Sequence, residues 1–233
     1  MGCMFKANGL YSRMSVGAVL LAAGAGSRLG GRPKALLQLG GVPLVVRQLI
    51  ALSGAGVDEV VLVLGHHADA VEAAIAHFPI TVVRNPDPAR GQVSSVRAGL
   101  QALSPKLDSI IVAPADMPLI GEADLVALIG AYRRRGDAAM VVPRVDAGHG
   151  APAAPGNPVM FDAALREAWM AGAADLACRT WREQNPQQVH WFDTDNRRYR
   201  VDIDTADDIA AFEADTGHRL EWPAGFALEP QPR

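Results

Sequence analysis

Residues 21–34 read "LAAGAGSRLGGRPK" and set two chemical features side by side. Small residues crowd at Ala22, Ala23, Gly24 and Gly26, with Ser27 beside them, and the cations Arg28, Arg32 and Lys34 follow at once. Glycine lets the main chain approach a ligand with no Cβ in the way. A guanidinium offers phosphate oxygens a planar fork, and an ammonium is a movable point charge. The combination suits a polyanion, phosphate above all. The apolar run "VGAVL" stands directly before it. Strand, glycine-rich turn and helix form a layout that aims backbone N–H groups at phosphate. Taken alone, the glycines fit a tight strand-to-helix turn equally well.

Two common phosphate registers do not fit. In GxGxxG, Gly24 and Gly26 would need a glycine at position 29, but the next one is Gly30. No acidic residue closes "VLVLGHH" to hold a ribose, so a nicotinamide oxidoreductase is disfavoured. In GxxxxGK[ST], the register from Gly26 reaches Gly31 and then Arg32-Pro33. What remains is a longer loop that carries its own cations.

Carboxylates complete the chemistry. Asp116, in "VAPADMP", follows an apolar run at the strand edge where open α/β sheets place ligands, and Pro118 disfavours helix at Met117. A carboxylate there suits Mg²⁺, a hard ion that prefers oxygen ligands and phosphates. Asp204, in "VDIDT", could supply a second carboxylate, with Asp202 two residues earlier on the same strand face. The alternatives are a turn residue at 116 and, at 204, a helix N-cap ahead of Asp207 and Asp208. Gly91, Gln92 and Ser95 open a predicted helix, where backbone donors and short side chains face the sheet edge; Ser94 and Ser95 also fit ordinary helix-start chemistry. The six histidines form no ligand set, His66-His67 reads as loop, and Trp169, Trp181 and Trp191 read as packing residues.

The elements that must hold these residues alternate in type. Strands are predicted at 16–22, 59–65, 80–85 and 109–116, with helices at 43–56, 68–78, 92–103 and 122–135. That alternation signals βαβ units and a largely parallel sheet. After a strand at 138–143 the rhythm changes to a Gly/Pro-rich loop at 144–158, then "VMF", two helices around 162–184, the strands "VHWFD" and "RYRVDI", and a last helix near Thr205. The fold expected is α/β, a three-layer Rossmann-like arrangement around a mostly parallel central sheet. One domain is expected over 15–222, with a disordered extension at 1–14 (Met14 being the functional start) and a disordered tail at 223–233.

Composition bounds the function. The 233 residues carry a formal charge of −3, which lacks the basic footprint of a nucleic-acid binder. The run 133–135 of arginines closes a predicted helix, where cations favour the dipole. Two cysteines, Cys3 and Cys178, make a disulfide framework or Cys-based zinc site implausible and a cytoplasmic setting the expectation. The first residues contain no apolar stretch long enough for a signal peptide or membrane span.

The stretch "LAAGAGSRLGGRPKALLQLGGVPLV" resembles the L-A-A-G-x-x-x-R-[ML]-G-x-x-K-x-L signature of the sugar- and cofactor-nucleotidyltransferases, and within them the molybdenum cofactor cytidylyltransferases. Further blocks match in order over about residues 16–213: "NPDPARGQVSSVRAGLQAL", "PADMP", "GNPVMF" and "DIDTADD". The resemblance implies transfer of CMP from CTP to molybdopterin with release of pyrophosphate, and Mg²⁺ on Asp116 and Asp204. Arg28 and Lys34 would be the catalytic cations. Leu21, Ala22, Ala23, Gly24, Gly26, Ser27, Gly91, Gln92 and Ser95 would bind the nucleotide, with Ser95 and the backbone of Ala22 and Ala23 near the pyrimidine.

On the acceptor side the resemblance points to Asn157 in "GNPV" and to Asp175 and Arg179 in "ADLACR". Here Ala174 and Ala177 replace the glycines of the related G-D-x-G-A-R motif, and Ala206 replaces a proline in D-T-P-x-D. Alternatives are a guanylyltransferase making the guanine dinucleotide form, a cytidylyltransferase acting on a sugar or polyol phosphate, and a non-catalytic nucleotide-binding protein that delivers cofactor. A molybdoenzyme or its chaperone is an expected partner; nucleic acid and membrane are not.

Overall fold

The computed structural model describes residues 13–146, 152–172 and 177–226. The first strand, β1 (Val16–Ala22), is buried along its whole length, as a central parallel strand covered on both faces must be. Alternate side chains serve opposite cores. Ala18, Leu20 and Ala22 join one cluster, and Val19 and Leu21 the other.

After the loop come the short strands β2 (Gln38–Leu39) and β3 (Val42–Pro43), then α1 (Leu44–Gly54), β4 (Glu59–Leu64), α2 (Ala68–Ile75) and β5 (Thr81–Arg84). The chain then crosses through α3 (Gln92–Ala102) to β6 (Ser109–Pro114), α4 (Glu122–Arg133) and β7 (Met140–Val145). The remainder supplies β8 (Ala154–Pro155), β9 (Val159–Asp162), α5 (Ala164–Ala171), α6 (Cys178–Gln184), β10 (Val189–Thr194), α7 (Ala206–Thr216) and β11 (Leu220–Glu221).

The main sheet runs β10-β7-β9-β6-β1-β4-β5, with β8 paired on β7. β5, β4, β1 and β6 are mutually parallel, whereas β9 is antiparallel to both β6 and β7. Leu49, Val71 and Leu125, from α1, α2 and α4, cover one face; Val96, Leu100 and Trp169, from α3 and α5, cover the other. Three layers result. Because β1 lies between β4 and β6, the chain changes direction beside it, and open α/β sheets bind ligands at that switch. Gly99 lets α3 lie hard against the sheet, since a Cβ there would meet Val19 Cγ1 at 2.3 Å.

Two local expectations are corrected. No α-helix follows the glycine loop: two single 3-10 turns (Ser27–Leu29 and Lys34–Leu36) and the β2–β3 hairpin intervene before α1. Gly26, Gly30 and Gly31 all take positive φ, and such left-handed positions stop a helix from starting. Second, "RYRVDI" is not a strand. Asn196 accepts the Arg198 N–H and starts a 3-10 turn at Arg197–Arg200, and the chain then runs extended outside the sheets. Asp202 and Asp204 therefore share a loop, not a strand face.

A second small sheet, β11-β2-β3, ties the loop to α7 through Leu29, Leu37, Leu39, Leu44, Ile203, Phe212 and Leu220. Of the segments expected to be disordered, 13–14 and 223–226 fall within the described residues. Arg13 donates to Gly56 O and Asp58, and Met14 and Phe226 lie against the core. Among the described residues no helix is long and apolar enough to cross a membrane.

Candidate active site

A cavity of about 460 Å³ opens at the carboxyl ends of β1, β4 and β6. Leu21, Ala22, Ala23 and Gly24 enter it from the end of β1, Arg28 and Lys34 from the loop, and Asp116 from the turn after β6. Gly91, Gln92 and Ser95 close it from the start of α3, and Asn157 and Asp204 from the far side. Residues spread over most of the sequence thus meet at one sheet edge.

Its charges are paired with one another. Lys34 Nζ donates to Asp116 Oδ2 at 2.6 Å and to Asp204 Oδ1 at 2.5 Å. Arg28 donates to the other oxygen of Asp204 at 2.7 Å. The two carboxylates are thus no further apart than the two Lys34 bonds laid end to end.

Capping chemistry leaves Asp204 free for this role. The cap of α7 is Thr205, whose hydroxyl accepts the Asp208 N–H, while the Asp208 carboxylate accepts from the backbone of Asp204 and Thr205. Ile203 N–H donates to the Asp116 carbonyl at 3.1 Å and fastens the two acidic segments together.

Burial works against the Lys34 charge, but Asp116 and Asp204 outweigh it and its pKa is raised. Burial likewise works against the Asp204 anion, yet bonding to Lys34 and Arg28 holds its pKa below the usual carboxylate range. Among the described residues Asp202 has no such side-chain donor. Burial, then the negative charges of Asp116 and Asp204, push its pKa up.

The donor set fits a hard divalent cation. Asp116 Oδ1 is buried and has no hydrogen-bond partner among the described residues. Among those residues no group of three or more His, Cys, Asp or Glu side chains could hold an ion. Mg²⁺ is commonly held by one or two carboxylates, with phosphate oxygens and water completing its shell.

Three of the expected residues, Gly26, Ser27 and Arg179, stand outside this cavity wall. Gly26 serves the loop itself, since a Cβ there would meet Arg32 O at 1.9 Å. Arg179 lines a second, adjoining cavity of about 470 Å³ that shares Gln92, Pro114 and Asn157 with the first; its guanidinium is exposed and paired with Glu183 at 3.0 Å. Asp175 lies outside the described residues.

Conversely, His66 lines the first cavity, with its Nδ1 3.3 Å from Ala23 O, although nothing in the pair His66-His67 distinguishes it from loop. Gly65 beside it allows that contact, because a Cβ there would meet Ala23 O at 2.7 Å. Arg32, by contrast, is spent on the loop: it donates to Leu29 O and lies over the Trp222 ring.

Comparison with known proteins shows the family and the fold. The family model described as "MobA-like NTP transferase domain" matches residues 18–190. The chain is 36% identical to nicotine blue oxidoreductase of Paenarthrobacter nicotinovorans over 197 residues, covering 82% of this chain and 93% of that protein. It is 37% identical to the CMP-5'-(3-aminopropyl)phosphonate synthase of Streptomyces rubellomurinus over 145 residues, 57% of this chain and 23% of that one. Among solved structures, Rv0371c of Mycobacterium tuberculosis superposes with a TM-score of 0.72 at 26% identity, covering 86% of this chain and 97% of that one. The chain belongs to the MobA-like NTP transferase domain family, a family of nucleotidyltransferases.

Proposed function

We propose that the protein transfers CMP from CTP to molybdopterin in a Mg²⁺-dependent reaction. An oxygen of the acceptor phosphate attacks the α-phosphorus, the bond from that phosphorus to the β-phosphate oxygen breaks, and pyrophosphate leaves. Both reactants are polyanions, so positioning and charge neutralisation are the main tasks. The observation that carries this reading is Lys34, held between Asp116 and Asp204 in a cavity that Ala22, Ala23 and Gly24 also line.

Asp116 and Asp204 would hold the cation, which, when bound, supplies neutralisation of phosphate charge. Arg28 and Lys34 would then meet the triphosphate oxygens. Gly24 leaves room for close approach, and Ser95 and the backbone of Ala22 and Ala23 face the base. Gln92 and Asn157 stand on both cavities, a fit for groups that meet nucleotide and acceptor together. The cytidylyl choice is supported by the "LAAG" turn and by the relative named for a CMP product. Cytoplasmic action and delivery to a molybdoenzyme or its chaperone are part of the same proposal.

The test is pyrophosphate release from CTP, GTP, UTP and ATP with Mg²⁺ and isolated molybdenum cofactor. Release from CTP is expected. Preference for GTP would make the enzyme a guanylyltransferase, and activity on sugar or polyol phosphates alone would reassign the acceptor. Tight nucleotide binding with no release for any acceptor would make it a delivery protein. A second reading, oxidation–reduction, is favoured by the relative named nicotine blue oxidoreductase, whose match runs nearly end to end. Consumption of NADH or NADPH with an oxidised heteroaromatic dye, in the absence of any nucleoside triphosphate, would support that reading instead.

A further inference from the structure

Asn85 stands behind the nucleotide-side wall of the cavity and is buried, as is Ser95. Its side-chain carbonyl accepts the Asp87 N–H at 3.0 Å, which fixes the amide orientation and turns Nδ2 toward two serines. Nδ2 donates to Ser94 Oγ at 2.8 Å and to Ser95 Oγ at 3.0 Å. An amide nitrogen cannot accept, so both hydroxyls must, and each keeps one proton to give.

Ser94 spends its proton on the backbone, with Gly91 O at 2.8 Å and Asp87 O at 3.2 Å. Ser95 has no such acceptor among the described residues, and it lines the cavity. We propose that Asn85 is a positioning residue that turns Ser95 into an obligate hydrogen-bond donor, aimed at an acceptor atom of the nucleotide base such as a pyrimidine ring carbonyl. Ser94, its neighbour, takes no part in reading the base.

This rests on the reading of the cavity as a nucleotide site, so the experiment separates the two. Titration calorimetry with Mg²⁺ is run on CTP, GTP and inorganic tripolyphosphate (a probe with no base), using the wild type, Asn85→Ala, Ser95→Ala and the double variant. Each single substitution is expected to weaken CTP roughly threefold to tenfold, the range of one hydrogen bond, and to leave tripolyphosphate binding unchanged. The double variant should bind CTP no more weakly than Ser95→Ala, because Asn85 acts through that hydroxyl.

Additive losses in the double variant overturn the proposal, as does equal weakening of CTP and tripolyphosphate. If Asn85→Ala fails to fold, Asn85→Asp carries the test: it keeps the acceptor for Asp87 N–H but takes the Ser95 proton, and must weaken CTP selectively. If the wild type prefers CTP and both substitutions at 85 leave CTP binding unchanged, the positioning role alone is sunk. One that binds CTP no better than tripolyphosphate sinks the nucleotide reading with it.

Discussion

Lys34 and Asp204, 170 residues apart in the chain, meet at 2.5 Å, and Arg28 holds the opposite oxygen of the same carboxylate. The Lys34 side chain is only 16% exposed, so its charge is tolerated there because two carboxylates compensate it. The ammonium stands where a divalent cation would also be drawn. Lys34→Ala should therefore do two things. Turnover should fall about 10²–10³-fold, the loss typical of one preorganised electrostatic group. The melting temperature should also fall, because Asp116 and Asp204 are left to repel, and Mg²⁺ should restore more of it in the variant than in the wild type. Pyrophosphate release and thermal melting with and without Mg²⁺ check both.

Asp116 is held by its backbone as well as by its charge, since its carbonyl accepts from Ile203 N–H. Asp116→Asn keeps that bond and the side-chain shape, removes the negative charge and turns one acceptor oxygen into an NH2 donor. Turnover should drop by orders of magnitude at every Mg²⁺ or Mn²⁺ concentration, with a circular dichroism spectrum like that of the wild type. Near-normal activity that still depends on Mg²⁺ would remove Asp116 from the cation site.

Much of this site was legible because its residues follow strands with strong apolar patterning. The ends of β1 and β6 set Gly24 and Asp116 at one sheet edge, and Thr205 with Asp208 announce the start of α7. Legibility failed where a local side-chain cap or a tertiary contact decides. Val201 and Ile203 gave "RYRVDI" a strand-like pattern, but a side-chain cap from Asn196 starts a turn instead. His66 reaches the cavity only because Gly65 permits close packing on Ala23. The role of Asn85 depends on which way its amide faces, which the Asp87 N–H decides. Gly24 and Gly26 look alike in sequence, yet only Gly26 takes a left-handed backbone, and the atoms around the two differ.

Asp202 and Asp204 should respond oppositely to pH. Burial and the neighbouring charges of Asp116 and Asp204 raise the Asp202 pKa above 3.8, so its ionised form destabilises the fold. That cost is full above its folded-state pKa and absent below the unfolded value. Asp202→Asn should raise the melting temperature at pH 7 and lose the gain as pH falls toward 3.8. Asp204, with its pKa lowered, contributes stability that is present above 3.8 and lost as pH drops through the folded-state value. Asp204→Asn should lower the melting temperature at pH 7. Melting curves of both variants across pH 3–8, free of nucleotide and metal, give the comparison.

Gly24 and Gly26 separate close approach to a ligand from the needs of the loop. At Gly26 the backbone is left-handed, with φ of 62°, and a Cβ would lie 1.9 Å from Arg32 O. Left-handed geometry alone costs a non-glycine residue about 1–2 kcal/mol, and the carbonyl cannot yield without opening the loop. Gly26→Ala should therefore lower the melting temperature even without ligand. At Gly24 the nearest atom to a Cβ is Lys34 Cε at 3.9 Å, an ordinary contact, so Gly24→Ala should melt like the wild type or slightly higher. The added methyl would instead project where the triphosphate must approach. Its dissociation constant for CTP and for tripolyphosphate should rise at least about tenfold, or ~1.4 kcal/mol. If Gly24→Ala binds both normally, that stretch of main chain does not contact the phosphates, and the cations around it act on the nucleotide without a backbone cradle.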